Sequence, residues 1–273
     1  MRRRSDDTGV VTHPALTYAS YLEIDELLSL QQPRSDGPEH DEMLFIVIHQ
    51  VYELWFKQVL WELDHAIELL DADGQPMCGH TLNRVRSILK VMVAQMDVLE
   101  TMTPLEFGSF RARLDSASGF QSVQFRELEA VLGAADADVV EHFPKGSPAR
   151  DRLTTRLREP TLWVAFCNHI ARRGFDVPAR CLTRETGSRT TADEELQTVL
   201  LDVYRTDPST ANLCERLVDL DEGLQEWRYR HVKMVERTIG TKPGTGGSPG
   251  AAYLRTTLGR PVFPDLWAIR SSF

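Results

Sequence analysis

Two histidines stand out because each interrupts a helical run of apolar residues. His49 follows Phe45 and precedes Tyr52, Phe56 and Leu60 at steps of three and four, and His231 falls between Trp227 and Met234 in a second such run. An imidazole in that setting is either a core side chain bonded to a carbonyl or a neutral nitrogen ligand kept dry. Two of them on separate long helices can lie on either side of something flat. Haem suits that geometry, because an imidazole on a rigid helix is a usual axial ligand and an apolar stripe shelters the macrocycle. The chain has no Cys-x-x-Cys-His, so such a haem would be held without covalent attachment.

Other groups compete for chemical roles. Glu62-Leu63-Asp64-His65 has the Glu-x-x-His spacing of carboxylate-bridged iron sites, but that chemistry needs a second copy from another helix, and the chain has one. A solvated helix face is the expectation there. Gly244-Thr245-Gly246-Gly247-Ser248 lacks the preceding strand and the Lys-Ser/Thr of a phosphate loop, so nucleotide binding is rejected. Its backbone N–H groups and the Thr245 hydroxyl could still approach a small anion, and a plain turn is the alternative. Arg111 lies among aromatic residues in Phe107-Gly108-Ser109-Phe110-Arg111, where a planar guanidinium needs a carboxylate, either an internal ion-pair partner or a ligand.

These residues require long helices to position them. No Pro or Gly occurs from Glu39 to Asp71, and Leu44, Ile48, Val51, Trp55, Val59, Leu63, Ile67 and Leu70 predict one continuous helix with a buried centre. A further helix carries Leu82 to Leu99, and Ser209 to Ile239 carries the His231 stripe and stops at Gly240. Thr103-Pro104-Leu105-Glu106 has the order of a capping box and opens a short helix through Arg113. Helices are also expected from Thr17 to Leu28, from Phe120 to Leu132, around 148–158 and 160–173, and from Ala192 to Tyr204, with a surface excursion over 175–190. No alternating stretch supports a sheet. The expected class is all-α, a single helical-bundle domain over 16–273 behind a polar tail at 1–15, with the haem pocket between the long helices.

Composition narrows the function classes. The chain has 273 residues, 42% hydrophobic and 26% charged, with 31 Lys and Arg against 40 Asp and Glu and a net charge of -9. Such a surface repels polyphosphate, so nucleic acid is not an expected partner. No apolar run is long enough to span a membrane, and Met1-Arg2-Arg3-Arg4 leads into Ser5-Asp6-Asp7 rather than a secretory core. Cys78, Cys167, Cys181 and Cys214 are too dispersed for a zinc or disulfide framework, which points to a reducing cytoplasm.

Several blocks together resemble one family. His40-Asp41-Glu42-Met43-Leu44-Phe45-Ile46-Val47-Ile48-His49-Gln50 with Glu53-Leu54-Trp55, then Leu99-Glu100-Thr101-Met102-Thr103-Pro104, Ser118-Gly119-Phe120-Gln121-Ser122, Trp227-Arg228-Tyr229-Arg230-His231 and Gly244-Thr245-Gly246-Gly247-Ser248 resemble the tryptophan 2,3-dioxygenase family, in that family's order. The resemblance runs from about Leu16 to Phe263-Pro264-Asp265-Leu266-Trp267, leaving out the tail and 134–205. It implies a homotetrameric enzyme with ferrous haem b and O2 that converts L-tryptophan to N-formyl-L-kynurenine. By the same resemblance His231 is the proximal iron ligand, His49 is the distal catalytic residue bonding the indole N–H, and Phe45 packs on the indole. Arg111 clamps the substrate carboxylate, Thr245 contacts the carboxylate and ammonium, and Ser118 lines the haem pocket. Tyr18 and Tyr21 reach a neighbouring subunit's site.

Two departures from the family pattern are Phe107, where some bacterial relatives carry a tyrosine, and Pro249 after the glycine loop, where a serine is common. They leave a related haem monooxygenase acting on tryptophan or a beta-substituted tryptophan as the rival enzyme. A haem or tryptophan sensor without turnover is the reading from outside enzymology.

Overall fold

The computed structural model describes residues 15–37, 39–183, 187–245 and 250–273. Apart from Ala15 the expected tail lies outside them, as do Gly246, Gly247, Ser248 and Pro249 of the glycine loop. The described residues form helices and connections with no strand, in the order α1 (Tyr18–Leu22), α2 (Ile24–Leu28), α3 (His40–Asp71), α4 (Gln75–Leu99), α5 (Pro104–Arg111), α6 (Val123–Val131), α7 (Pro148–Arg156), α8 (Leu162–Arg172), α9 (Glu194–Thr206), α10 (Pro208–Ile239), α11 (Ala251–Arg255) and α12 (Pro264–Ala268). The expected all-α class is the one observed.

Three long helices form the frame. Both α3 and α10 pack along α4, which lies between them. Leu63, Leu82, Val85, Met92, Leu217 and Leu224 are buried in their shared core. Gly223 sets the closeness of one contact, since a Cβ there would stand 3.3 Å from Leu89 Cδ1. Because α3 and α10 pack chiefly on α4 and meet each other only through side chains such as Phe56 and Trp227, the space between the first half of α3 and the last turns of α10 is left to smaller elements. There α5 touches both, α6 lies against α3, and α11 lies against α10.

Local chemistry explains the boundaries, including those that sequence periodicity missed. The helix expected from Thr17 to Leu28 is two, broken at Glu23 with φ 50. Thr17 and Ser20 close a capping box at its start, but no residue of either piece is buried, and short helices depend on packing to persist. The helix expected from Phe120 begins at Val123. Ser118 caps a single 3-10 turn over Gly119–Gln121, and Ser122 then accepts from Phe125 N–H to start α6. The helix expected from Leu82 begins a full two turns earlier, with Pro76 in its first turn and Cys78 fully buried. The capping box at Thr103 forms, although α5 ends at Arg111 and continues as a 3-10 turn through Leu114. The excursion expected over 175–190 is partly anchored, since Val177 is buried and Arg180 pairs with Asp193 and Glu195.

The end of the chain is fastened to α10. The fully buried Asp221 carboxylate accepts from Val262 N–H at 2.8 Å, Phe263 N–H at 3.0 Å and Trp267 Nε1–H at 2.9 Å on one oxygen, and from Gln225 on the other. Removing it leaves two buried backbone donors and the part-buried Trp267 indole N–H without an acceptor. Asp221→Ala is expected to lower unfolding stability by about 3 kcal/mol or more, and Asp221→Asn by less because an amide oxygen can still accept. Urea denaturation midpoints for both variants check this, and an unshifted Asp221→Ala midpoint would remove the fastening role.

Candidate functional site

Where α3, α5, α6, α10 and α11 surround the gap, they enclose a cavity of about 290 Å³. Its wall is mainly apolar, with Phe45 and Phe56 from α3, Phe107 from α5, Phe125 from α6 and Trp227 and Met234 from α10. The two histidines singled out by sequence both face this space.

His49 and His231 differ in what they bond. His49 Nδ1 lies 2.7 Å from the Phe45 carbonyl. A carbonyl can only accept, so Nδ1 carries the proton and Nε2 keeps its lone pair. Burial lowers the His49 pKa below its ordinary value, with the Phe45 carbonyl and Glu53 opposing that shift. The ring is therefore neutral and presents an acceptor. His231 stacks on Trp227 with ring centroids 5.1 Å apart, and neither of its nitrogens has a hydrogen-bond partner among the described residues. Burial pushes its pKa down to about 4, helped by the proximity of His49 and Arg126. Of the two uses of a buried imidazole, His49 shows the carbonyl bond and His231 does not. A neutral, unpartnered imidazole facing an apolar cavity has the donor chemistry of an axial ligand.

No group of three His, Cys, Asp or Glu side chains among the described residues is arranged to hold a metal ion. An iron held by His231 would thus need a macrocycle to supply its remaining donors. The residues present fit haem on both counts, ligand and wall.

The remaining expected groups gather on one side. Phe45 lies 4.1 Å from His49, 5.7 Å from Phe107 and 5.6 Å from Phe110 between ring centroids. Arg111 lines the cavity, and its Nη2 donates to the Pro243 carbonyl at 2.5 Å. Among the described residues no carboxylate pairs with it, which corrects the expectation of an internal ion pair and leaves most of its fork unused. Thr245 donates its hydroxyl proton to the Ala117 carbonyl, joining the glycine loop to the Ser118 loop. Gly250 closes that loop at φ +62, where a Cβ would come within 2.8 Å of the Lys242 carbonyl, so glycine is required. Ser118 accepts from Phe120 N–H and lines the cavity.

Comparison with known proteins settles the family. The sequence matches the tryptophan 2,3-dioxygenase family model over residues 5–158 and 179–273. The chain belongs to the tryptophan 2,3-dioxygenase family. Proteins named tryptophan 2,3-dioxygenase from Herpetosiphon aurantiacus and Anaeromyxobacter sp. (strain K) are 58% and 57% identical to it, over 94% of this chain and 98% and 96% of their own lengths. One from Kineococcus radiotolerans is 41% identical over 98% of this chain and 96% of its own.

Two other groups singled out in the sequence lie outside this cavity. Tyr18 and Tyr21 are 79% and 72% exposed on α1 and do not line this chain's cavity. In Glu62-x-x-His65, His65 faces solvent beside Glu68, but Glu62 is buried against Arg84 and Gln58. The solvated-face expectation is therefore corrected at Glu62, whose carboxylate is spent on an ion pair. Sequence reading also missed groups in the wall, namely Glu53, which accepts from Gln124 at 2.8 Å, the buried Arg126 and Arg228, and the partly buried Glu129. The only sequence signal for the last three was charge on faces otherwise apolar, which is weak because charged residues on short helices are mostly solvated.

The shifted histidines link the site to stability. Unfolded histidine protonates near 6.5, whereas His231 in the folded chain does so at about 4. Between these values the unfolded chain holds more protons, so stability falls as pH drops through the window, by about 3 kcal/mol in total for a shift of this size. His49 adds in the same direction. In protein stripped of bound ligand, His231→Phe is expected to flatten this acid loss. Denaturation curves across the window check it, and equal pH slopes in the two proteins would refute the assignment.

Proposed function

We propose that this chain is a haem-dependent tryptophan 2,3-dioxygenase that opens the pyrrole ring of L-tryptophan with O2, giving N-formyl-L-kynurenine. Membership of the family and identities of 41–58% to proteins of that name support the activity. The observation that carries the cofactor is the unpartnered, neutral His231 facing an apolar cavity. Haem b bound there in the ferrous state supplies the dioxygen and redox chemistry.

The chain's own residues then bind, orient and keep out water. His231 would hold the haem iron. His49 offers Nε2 to the indole N–H and fixes the ring's angle, while Phe45 packs on its face. Indole is electron-rich at C2 and C3 without losing its N–H proton, so His49 orients rather than serves as an obligatory base. Arg111 presents free N–H groups to the substrate carboxylate as a fork, and Thr245 contacts the carboxylate and ammonium. Ser118 and the aromatic wall line the pocket. Phe107 is buried against Phe45 and offers no hydroxyl to substrate.

A homotetramer is part of this proposal. The α1–α2 segment exposes Leu16, Tyr18, Tyr21 and Leu28, and α3 exposes Val47, Leu54 and Trp61 at seven-residue steps, apolar surface that a neighbouring subunit would cover. In that assembly Tyr18 and Tyr21 reach the adjacent site. The proposed compartment is the reducing cytoplasm, where the four free cysteines remain thiols. No described helix is long and apolar enough to cross a membrane.

Incubation of ferrous protein with L-tryptophan and labelled dioxygen is expected to place both oxygen atoms in a ring-opened product; one added atom would assign a monooxygenase, and none a sensor. His231→Ala is expected to abolish haem retention, and His49→Ala to slow turnover without ending it. Arg111→Leu is expected to weaken tryptophan binding by about 2–4 kcal/mol, read as KM. Unchanged KM would exclude Arg111 from the substrate site.

A further inference from the structure

Arg126 is the buried group in the cavity wall whose donors are least accounted for. It lies on α6, its side chain is 8% exposed, and it lines the cavity beside His231. One face of the guanidinium rests 4.3 Å from the centre of the Phe120 ring, which fixes its plane. Of its five N–H groups, one is bonded among the described residues, Nη1 to Glu129 Oε2 at 2.6 Å. Nε is fully buried with no partner among the described residues. Glu129 cannot satisfy the rest, because its other oxygen faces Arg228 Nη2 at 3.7 Å. Arg228 in turn donates to the Arg260 carbonyl. A buried guanidinium with spare donors at the edge of an apolar cavity calls for an anion with paired oxygens, and a carboxylate is the natural fit.

Resting on the haem reading above, we infer that Arg126 anchors a carboxylate at the edge of the haem, with Glu129 and Arg228 holding its guanidinium in place. Arg111, whose free donors lie beside the glycine loop, is left for the substrate carboxylate. The two arginines divide the anions of the pocket between cofactor and substrate. Arg126 is thus a cofactor-positioning group.

The test follows the rate at which haem leaves the loaded full-length protein for an excess of apomyoglobin, read by absorbance. Wild type carrying haem b is compared with wild type carrying haem b dimethyl ester, which lacks both carboxylates and needs no variant. The ester is expected to leave about 10- to 100-fold faster. Arg126→Lys keeps a cation for Glu129 but loses the fork, and it is expected to release haem b faster by a similar factor while discriminating less between acid and ester. Equal rates for acid and ester in wild type, or an Arg126→Lys protein that discriminates as wild type does, would overturn the inference. If wild type retains neither porphyrin, the haem reading fails instead. Should Arg126→Lys not fold, the Arg126→Gln/Glu129→Gln pair, which leaves no unpaired charge between them, provides the second variant, with the same loss of discrimination expected.

Discussion

A neutral imidazole, half-buried and without a hydrogen-bond partner among the described residues, is the condition on which this site depends. Burial, with His49 and Arg126 nearby, pushes the His231 pKa down to about 4, so the ring is neutral near pH 7, and with no hydrogen-bond partner among the described residues its lone pair is left for a metal. His49, in the same cavity, has its Nδ1 proton committed to the Phe45 carbonyl, so its free nitrogen can only accept. The two rings thus differ in role through backbone contacts rather than residue type.

The frame produces that condition by a simple asymmetry. With α4 packed against both α3 and α10, the two histidine-bearing helices are held rigid yet kept apart, and the intervening space is walled by short helices rather than filled. The polar groups are distributed accordingly. Arg111 and Thr245 fasten loops on one side through Pro243 and Ala117, whereas Arg126, Glu129 and Arg228 form a buried charged cluster in the wall. Buried charge is expensive to maintain, so a charged cluster beside an apolar cavity adds little to stability by itself.

Much of this was legible in the sequence where signals are long or chemically specific. An unbroken stretch without Pro or Gly located α3, and Thr103-Pro104-Leu105-Glu106 located the start of α5. His49 and His231 could be found because a polar ring inside an apolar stripe is conspicuous. Features that depend on distant contacts were not legible. The break at Glu23 follows from the absence of any surface for α1 to pack on. Arg111 looked like half of an ion pair because its true partner, a carbonyl 132 residues away, carries no sequence signal. Glu62 read as solvated because its burial requires Arg84 from the neighbouring helix.

The Asp221 fastening also orders events in time. Its acceptor oxygen on α10 waits for donors that follow 41 to 46 residues later. While the polypeptide is still emerging from the ribosome, the helix that carries His231 is synthesised but its buried carboxylate is unanswered. Docking of the 262–267 segment is therefore a long-range closure, made only after both it and α10 have left the ribosome, so this part of the core is sealed late.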